Sequence, residues 1–201
     1  MAAVLIPIGI VAPFVLVLRG SLEAQQRFGF ATLPAITLGV VTAAVWLFLL
    51  AWIVARILRF PRALRWIVSR GAPLAVLVMT GTGLMSVAVE NVKSPELAAE
   101  YRSLHPLLRL GTATLVLLDP TVVVTDASRT LDDYAAWGMK PNDASLHFVQ
   151  DDGYAHAIDL RTRARSEWWN TLTRVGFDIM GFATLRHTGT ADHLHVAMPQ
   201  R

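Results

Sequence analysis

Charged residues are missing from three stretches of the first 90 positions and become frequent afterwards. Met1 to Leu18 carries none, Phe28 to Ala55 none over 28 residues, and Gly71 to Val89 none over 19. A bilayer core of about 30 Å takes roughly 20 apolar residues in a helix. The pattern therefore predicts three transmembrane helices, with two as the alternative because Pro7 and Pro13 interrupt the first run. Neither a positive n-region nor a small-residue cleavage site precedes Arg19, so the first run does not read as a cleaved signal peptide.

From Asn91 onward the periods change. Asn91 to Glu100 reads as a polar linker holding Pro95. Glu96 to Leu110 spaces Leu97, Tyr101, Leu104, Leu107 and Leu108 as one helical stripe, bent or interrupted at Pro106. Asp119-Pro120 marks a turn after the apolar run Leu115 to Leu118, and Thr121 to Thr125 reads as a strand. A polar loop, Asp126 to Arg129, leads to a short helix from Leu131 to Trp137 that stops at Gly138. Tyr154 to Leu160 predicts a strand and Asp192 to Met198 another. Between them Ser166 caps a helix reaching Met180, with Trp168, Trp169, Leu172, Val175, Phe177 and Ile179 as its packing residues. Ala183 to Arg186 receives no element. The expectation is an α+β domain with a small antiparallel sheet over residues 91–201, behind a membrane region over residues 1–90.

Charge follows the same division. The net charge of +3 and pI near 9.8 suggest a nucleic-acid partner. Yet residues 1–90 carry seven arginines and two glutamates, net +5, while residues 91–201 are net −2. The basic charge belongs to the membrane part, which argues against nucleic acid as a partner. Arg56, Arg59, Arg62, Arg65 and Arg70 lie between the second and third apolar runs, against two arginines in Arg19 to Arg27. Arg-rich loops stay cytoplasmic, so with three spans the later domain is expected outside the cytoplasmic membrane. The arginine stripe itself reads as an anchor on phospholipid.

All six histidines lie between positions 105 and 195, and there is no cysteine, which excludes a thiolate zinc site. His193 and His195 are two apart, so on a strand both face one side while Leu194 faces the other. Asp159 closes an alternating stretch with Ala155 and Ala157. If the two strands pair antiparallel, Asp159 sits beside His195, and His147 on the preceding loop closes a third corner. Two imidazoles and a carboxylate suit Zn²⁺ and leave a fourth position open. His156 is the alternative first ligand, although it is out of phase with Asp159. His193 and Asp192 are both candidate bases. His105 reads as a helix-surface residue, His187 as a loop or supporting residue, Asp151-Asp152 as a solvated loop tip, and Trp168-Trp169 as core plus rim.

Ser145-x-His147, then Ala157-Ile158-Asp159-Leu160, then Asp192-His193-Leu194-His195 resembles the signature of the D-Ala-D-Ala carboxypeptidase and hedgehog-like zinc metallopeptidases. The resemblance covers roughly residues 105–199. Eleven residues separate His147 from Asp159, where the family usually has six, which fits a loop inserted at Phe148 to Asp152. The resemblance implies His147, Asp159 and His195 as metal ligands and His193 as base ahead of Asp192. It also implies that Arg129 contacts a substrate carboxylate or backbone, and that the substrate is a peptidoglycan-type peptide containing D-amino acids. The expected activity is that of a membrane-anchored zinc metallopeptidase of the cell wall, on a multi-pass protein of the inner membrane with a periplasmic domain. The alternative is an inactive zinc-fold module that binds wall peptide or a partner protein.

Overall fold

In the computed structural model, which describes residues 2–200 apart from 60, 86–90, 139, 143 and 190, the chain divides into two compact units. They comprise residues 1–85 and 86–201. The first is three helices: α1 (Ala2–Phe28), α2 (Thr32–Ile57) and α3 (Arg62–Met85).

Helix α1 runs through Pro7 and Pro13 and also takes in Arg19 to Arg27, expected as a loop. That segment is helical because Ser21, Leu22 and Ala24 continue a buried face while Glu23 pairs with Arg27 one turn on, at 2.5 Å. Gly29, at φ +67°, ends it. On α2 the buried residues Ala35, Ile36, Gly39, Val40 and Ala43 form one stripe. A Cβ at Gly39 would collide with the Val17 carbonyl and Ser21 Oγ, so glycine allows the close approach of α1 and α2. Most of the remaining surface of α2 is apolar and exposed. Helices α2 and α3 are long and apolar enough to cross a membrane. The arginines expected in one loop are shared out. Arg56 is in the last turn of α2, Arg62, Arg65 and Arg70 are in α3, and Arg59 occupies the turn at φ +54°. The end of the third apolar run falls outside the described residues.

The second unit is a four-stranded antiparallel sheet with helices. Its elements are α4 (Pro95–Glu100), α5 (Pro106–Leu118), β1 (Val124–Asp126), α6 (Leu131–Ala136), β2 (Ala157–Arg161), α7 (Glu167–Met180), β3 (Ala183–His187) and β4 (His193–Ala197). The strand order is β1-β2-β4-β3. Asn91 Nδ2 donates to the carbonyls of Pro120 and Val122, fastening the start of the unit beside β1.

The stripe from Glu96 to Leu110 is not one helix. Pro106 starts α5 instead of bending a longer helix: it takes the first helical position, where the missing N–H costs nothing. His105 caps the new helix, its Nδ1 accepting from Leu107 N at 3.2 Å. Thr130 caps α6 in a reciprocal capping box with Asp133, and Ser166 caps α7. Of the packing residues expected on α7, Phe177 is inside with Asn170, Thr173 and Met180. Trp168, Leu172, Val175 and Ile179 lie on the opposite, exposed face, and Trp169 is also exposed. The 3.6-residue period separates the two sets.

One sheet face supplies the core: Ile158 and Leu160 from β2, Leu194 and Val196 from β4, all buried. Helices α5 and α7 approach closely at glycines. A Cβ on Gly111 would come within 2.7 Å of the Phe182 ring, and one on Gly176 within 2.9 Å of Leu115. An ion pair with little solvent exposure, Arg165 to Asp119 at 2.6 Å, and a bond from Arg165 to Thr173 Oγ1 tie the β2–α7 connection to the end of α5.

Candidate metal centre

The opposite face of the sheet carries the chemistry. In the β2–β4 ladder Asp159 stands opposite His195 and Arg161 opposite His193. In the β3–β4 ladder Leu185 faces His195 and His187 faces His193. Residues opposite one another share a face, so Asp159, His195 and Leu185 form one row and Arg161, His193 and His187 the next.

His147 arrives from a loop and is held by a reciprocal pair of bonds to another. Its Nδ1 lies 2.6 Å from the Ala127 carbonyl, and its own carbonyl accepts from Arg129 N at 2.9 Å. A carbonyl only accepts, so the proton sits on Nδ1 and Nε2 presents a lone pair. That Nε2 lies 3.3 Å from His195 Nδ1 and 3.3 Å from Asp159 Oδ1, while His195 Nδ1 is 2.8 Å from the same oxygen. One proton can satisfy the His195–Asp159 edge. In the neutral ring the buried His147 lone pair would face a carboxylate oxygen; a second proton on the ring or a metal cation in the triangle relieves that contact. Tetrahedral ligands at about 2.0–2.1 Å from zinc are roughly 3.3 Å apart, close to the edges of this triangle. His147, Asp159 and His195 can thus hold a metal ion.

The surroundings support the same arrangement. Arg129 donates from Nε to Asp126 Oδ2 at 2.7 Å and from Nη2 to Asp159 Oδ2 at 3.0 Å. Its guanidinium carbon also lies 5.9 Å from the Tyr134 ring centre and 5.7 Å from that of Trp137. Arg129 is thereby turned onto the Asp159 carboxylate. Burial pushes the Asp159 carboxyl up, but hydrogen bonds with His147 and His195 and the charge of His147 and His193 outweigh it and hold the group far below the usual carboxylate range.

The two candidate bases part company. His193 Nδ1 lies 2.6 Å from the Ala191 carbonyl, so Nε2 carries the lone pair, 3.6 Å from Asp159 Oδ2. Asp192 immediately precedes β4, and its carboxylate is fully engaged away from the histidines. It accepts from Thr162 Oγ1 at 2.8 Å and from Arg186 Nε and Nη2 at 2.9 and 2.8 Å. Those bonds, Arg186 first, pull its carboxyl down to about 2. The strand alternation that groups His193 with His195 sends Asp192 away from them. His187 stacks on His193 with ring centres 4.8 Å apart, so it belongs to the cluster rather than to a remote loop.

His156 goes elsewhere. Its Nε2 is 2.9 Å from Asp152 Oδ2, which is also 3.8 Å from His105 Nε2. These three also approach metal-ligand spacing. However, His105 Nδ1 accepts a backbone N–H, so the neutral ring carries its proton on Nε2 and that nitrogen donates rather than ligates. His105 is not on a helix surface but buried, and burial followed by the proximity of His156 lowers its pKa to about 4. No sequence rule for amphipathic helices flags a buried histidine cap. The His-Pro step at 105–106 was the available signal.

Comparison of the chain with family profiles, curated proteins and solved structures found no match.

Proposed function

We propose that residues 91–201 form a zinc metallopeptidase domain anchored to the cytoplasmic membrane by residues 1–90 and directed at peptidoglycan-type peptides outside it. The observation that carries the reading is the largely buried triangle of His147 Nε2, Asp159 Oδ1 and His195 Nδ1, whose edges of 2.8 to 3.3 Å suit a metal ion. The order of S-x-H, Asp and H-x-H, with its resemblance to the D-Ala-D-Ala carboxypeptidase and hedgehog-like group, supplies the substrate class. Zinc, when bound, would polarise a carbonyl and lower the pKa of water.

The chain's own residues have separate tasks. Arg129 orients Asp159 through Oδ2, leaving Oδ1 for the triangle. The Ala127 carbonyl fixes the tautomer of His147, the usual means of aiming a ligand imidazole. His193 accepts a proton at Nε2, and the imidazolium so formed is stabilised by Asp159 Oδ2 nearby. Arginines close to the turn between α2 and α3 support a cytoplasmic turn and an outward C-terminal domain, with α1 as a further span.

The test is incubation of the full-length, zinc-loaded protein in detergent with muropeptides, with products read by mass. Release of an amino acid or a cut stem peptide is expected. A protein holding one zinc per chain that leaves every peptide intact would be the binding module instead.

A further inference from the structure

Helix α7 has a second apolar face besides the one it buries. It is tied to β3 by the pair Arg186–Glu167 at 2.6 Å and by Thr184 Oγ1 donating to Asp178 Oδ1 at 2.6 Å. Thr184 and Arg186 stand opposite Val196 and Leu194, so α7 lies against the core face of the sheet and not against the face of the triangle. Trp168, Leu172, Val175 and Ile179, spaced four, three and four residues apart, run along the side of α7 turned away from the sheet. All four are exposed, Trp168 to 67%, and Trp169 beside them is exposed too. Glu167 and Asp178 fall on the flank that meets β3, so no charge interrupts the stripe. Single exposed apolar side chains are ordinary, whereas four in line on one helix mark a surface for a partner.

The chain itself points to which partner. Helices α2 and α3 are long and apolar enough to cross a membrane, and only five residues stand between Met85 and Asn91. A face on the second unit therefore meets a bilayer as a tethered group, at high effective concentration, and needs little affinity of its own. The stripe opens on two adjacent tryptophans, the residue type that settles between headgroups and acyl chains. Aliphatic side chains on one side and a charged flank of Glu167, Arg174 and Asp178 complete the pattern of a helix lying in the plane of an interface.

We propose that the outer stripe of α7 lies in the headgroup boundary of a phospholipid bilayer, with the helix parallel to the membrane plane. The inference rests on the membrane-anchor part of the reading above and is independent of the peptidase part. It also gives the domain a direction. The triangle is on the opposite face of the sheet, so a domain seated on α7 turns Asp159 and His195 away from lipid and into the aqueous phase.

The chain has no cysteine, so a nitroxide can be placed at one chosen position of the full-length protein in vesicles of phosphatidylcholine and phosphatidylglycerol. Three positions are compared: Leu172→Cys on the stripe, Asp151→Cys in an exposed turn, and Leu49→Cys on the exposed surface of α2. Power saturation reads collisions with oxygen, which concentrates in lipid, against those with a water-soluble nickel chelate. The oxygen-to-nickel ratio should be several-fold higher at 172 than at 151, in the direction of the value at 49. Trp168→Glu, added to the protein labelled at 172, should lower that ratio to the value at 151. The melting temperature should not change, because Trp168 is already exposed. Equal ratios at 172 and 151 beside a lipid-like value at 49 would overturn the docking and leave the anchor standing. A label at 172 shielded from both reagents would place the stripe against protein, a second copy or another chain, and would overturn the proposal as well. A water-like ratio at 49 would remove the anchor, and the docking with it.

Discussion

Asp159 Oδ1 and His195 Nδ1 stand 2.8 Å apart because their residues are directly opposite in the β2–β4 ladder. The pair depends on register. A slip of one residue would put Ile158 or Leu160 in the place of Asp159 and turn the carboxylate into the core. The apolar residues between the site residues thus hold the site as firmly as any bond to it.

His147→Ala, Asp159→Ala and His195→Ala should each purify metal-poor. Loss of a supporting residue typically costs 10–100-fold in metal affinity, and loss of one of three ligands should cost more. His156→Ala, which removes a neighbour of Asp152 and His105 and none of the triangle, should stay loaded. Elemental analysis of the four variants decides it, and a metal-free His156→Ala beside a loaded His147→Ala would move the first ligand.

His193→Ala should keep its metal and lose activity by about 10²–10⁴-fold, the range for general acid–base catalysis. Asp192→Asn should retain most of its turnover, since its carboxylate is bound to Arg186 and Thr162 on the far face. A dead Asp192→Asn and a near-normal His193→Ala would exchange the roles.

Asp192 should show instead in stability. Its folded pKa, about 2, lies below the ordinary 3.8. A carboxyl shifted in that direction adds stability that is complete above its unfolded value and is lost as pH falls through the folded one. Asp192→Asn should therefore melt below the wild type at neutral pH, with the gap closing between about 3.8 and about 2. A melting gap that does not change across that window would contradict the Arg186 pairing.

Gly111→Val should destabilise the second unit by about 1–3 kcal/mol through overpacking against Phe182, whose ring is braced edge-on by Phe177. Chemical denaturation followed by tryptophan fluorescence measures it, and an unchanged midpoint would mean that α5 and α7 can separate without cost.

A cytoplasm-only reporter fused after Arg201 should be silent if the C-terminal domain is exported. Strong reporter activity would place the domain inside and remove a wall peptide from consideration.

Much of this was legible in the sequence, and the exceptions have physical reasons. The Ser166 cap, the Gly138 stop and the same-face pair His193/His195 follow from local rules that tertiary packing left alone. Strand β3 was hidden because Ala183 to His187 is an edge strand with alternate residues exposed and no run of β-branched side chains. The face of Asp192 was readable from alternation, whereas its bonds to Arg186 and Thr162 need the fold. The outward stripe of α7 has the same period and composition as a core stripe, so only the packing partner could tell which face turns inward.

The separation of the ligands along the chain has a consequence for timing. His147 and His195 are 48 residues apart, and Asp159 and His195 are 36 apart. No short peptide of this protein contains a ligand set, unlike a zinc finger, whose ligands gather the metal as they fold. Here the loop-closure entropy must already have been overcome by pairing β2 with β4 before three donors exist in one place. An ion held there would accordingly be a late arrival, captured by a domain that has already folded.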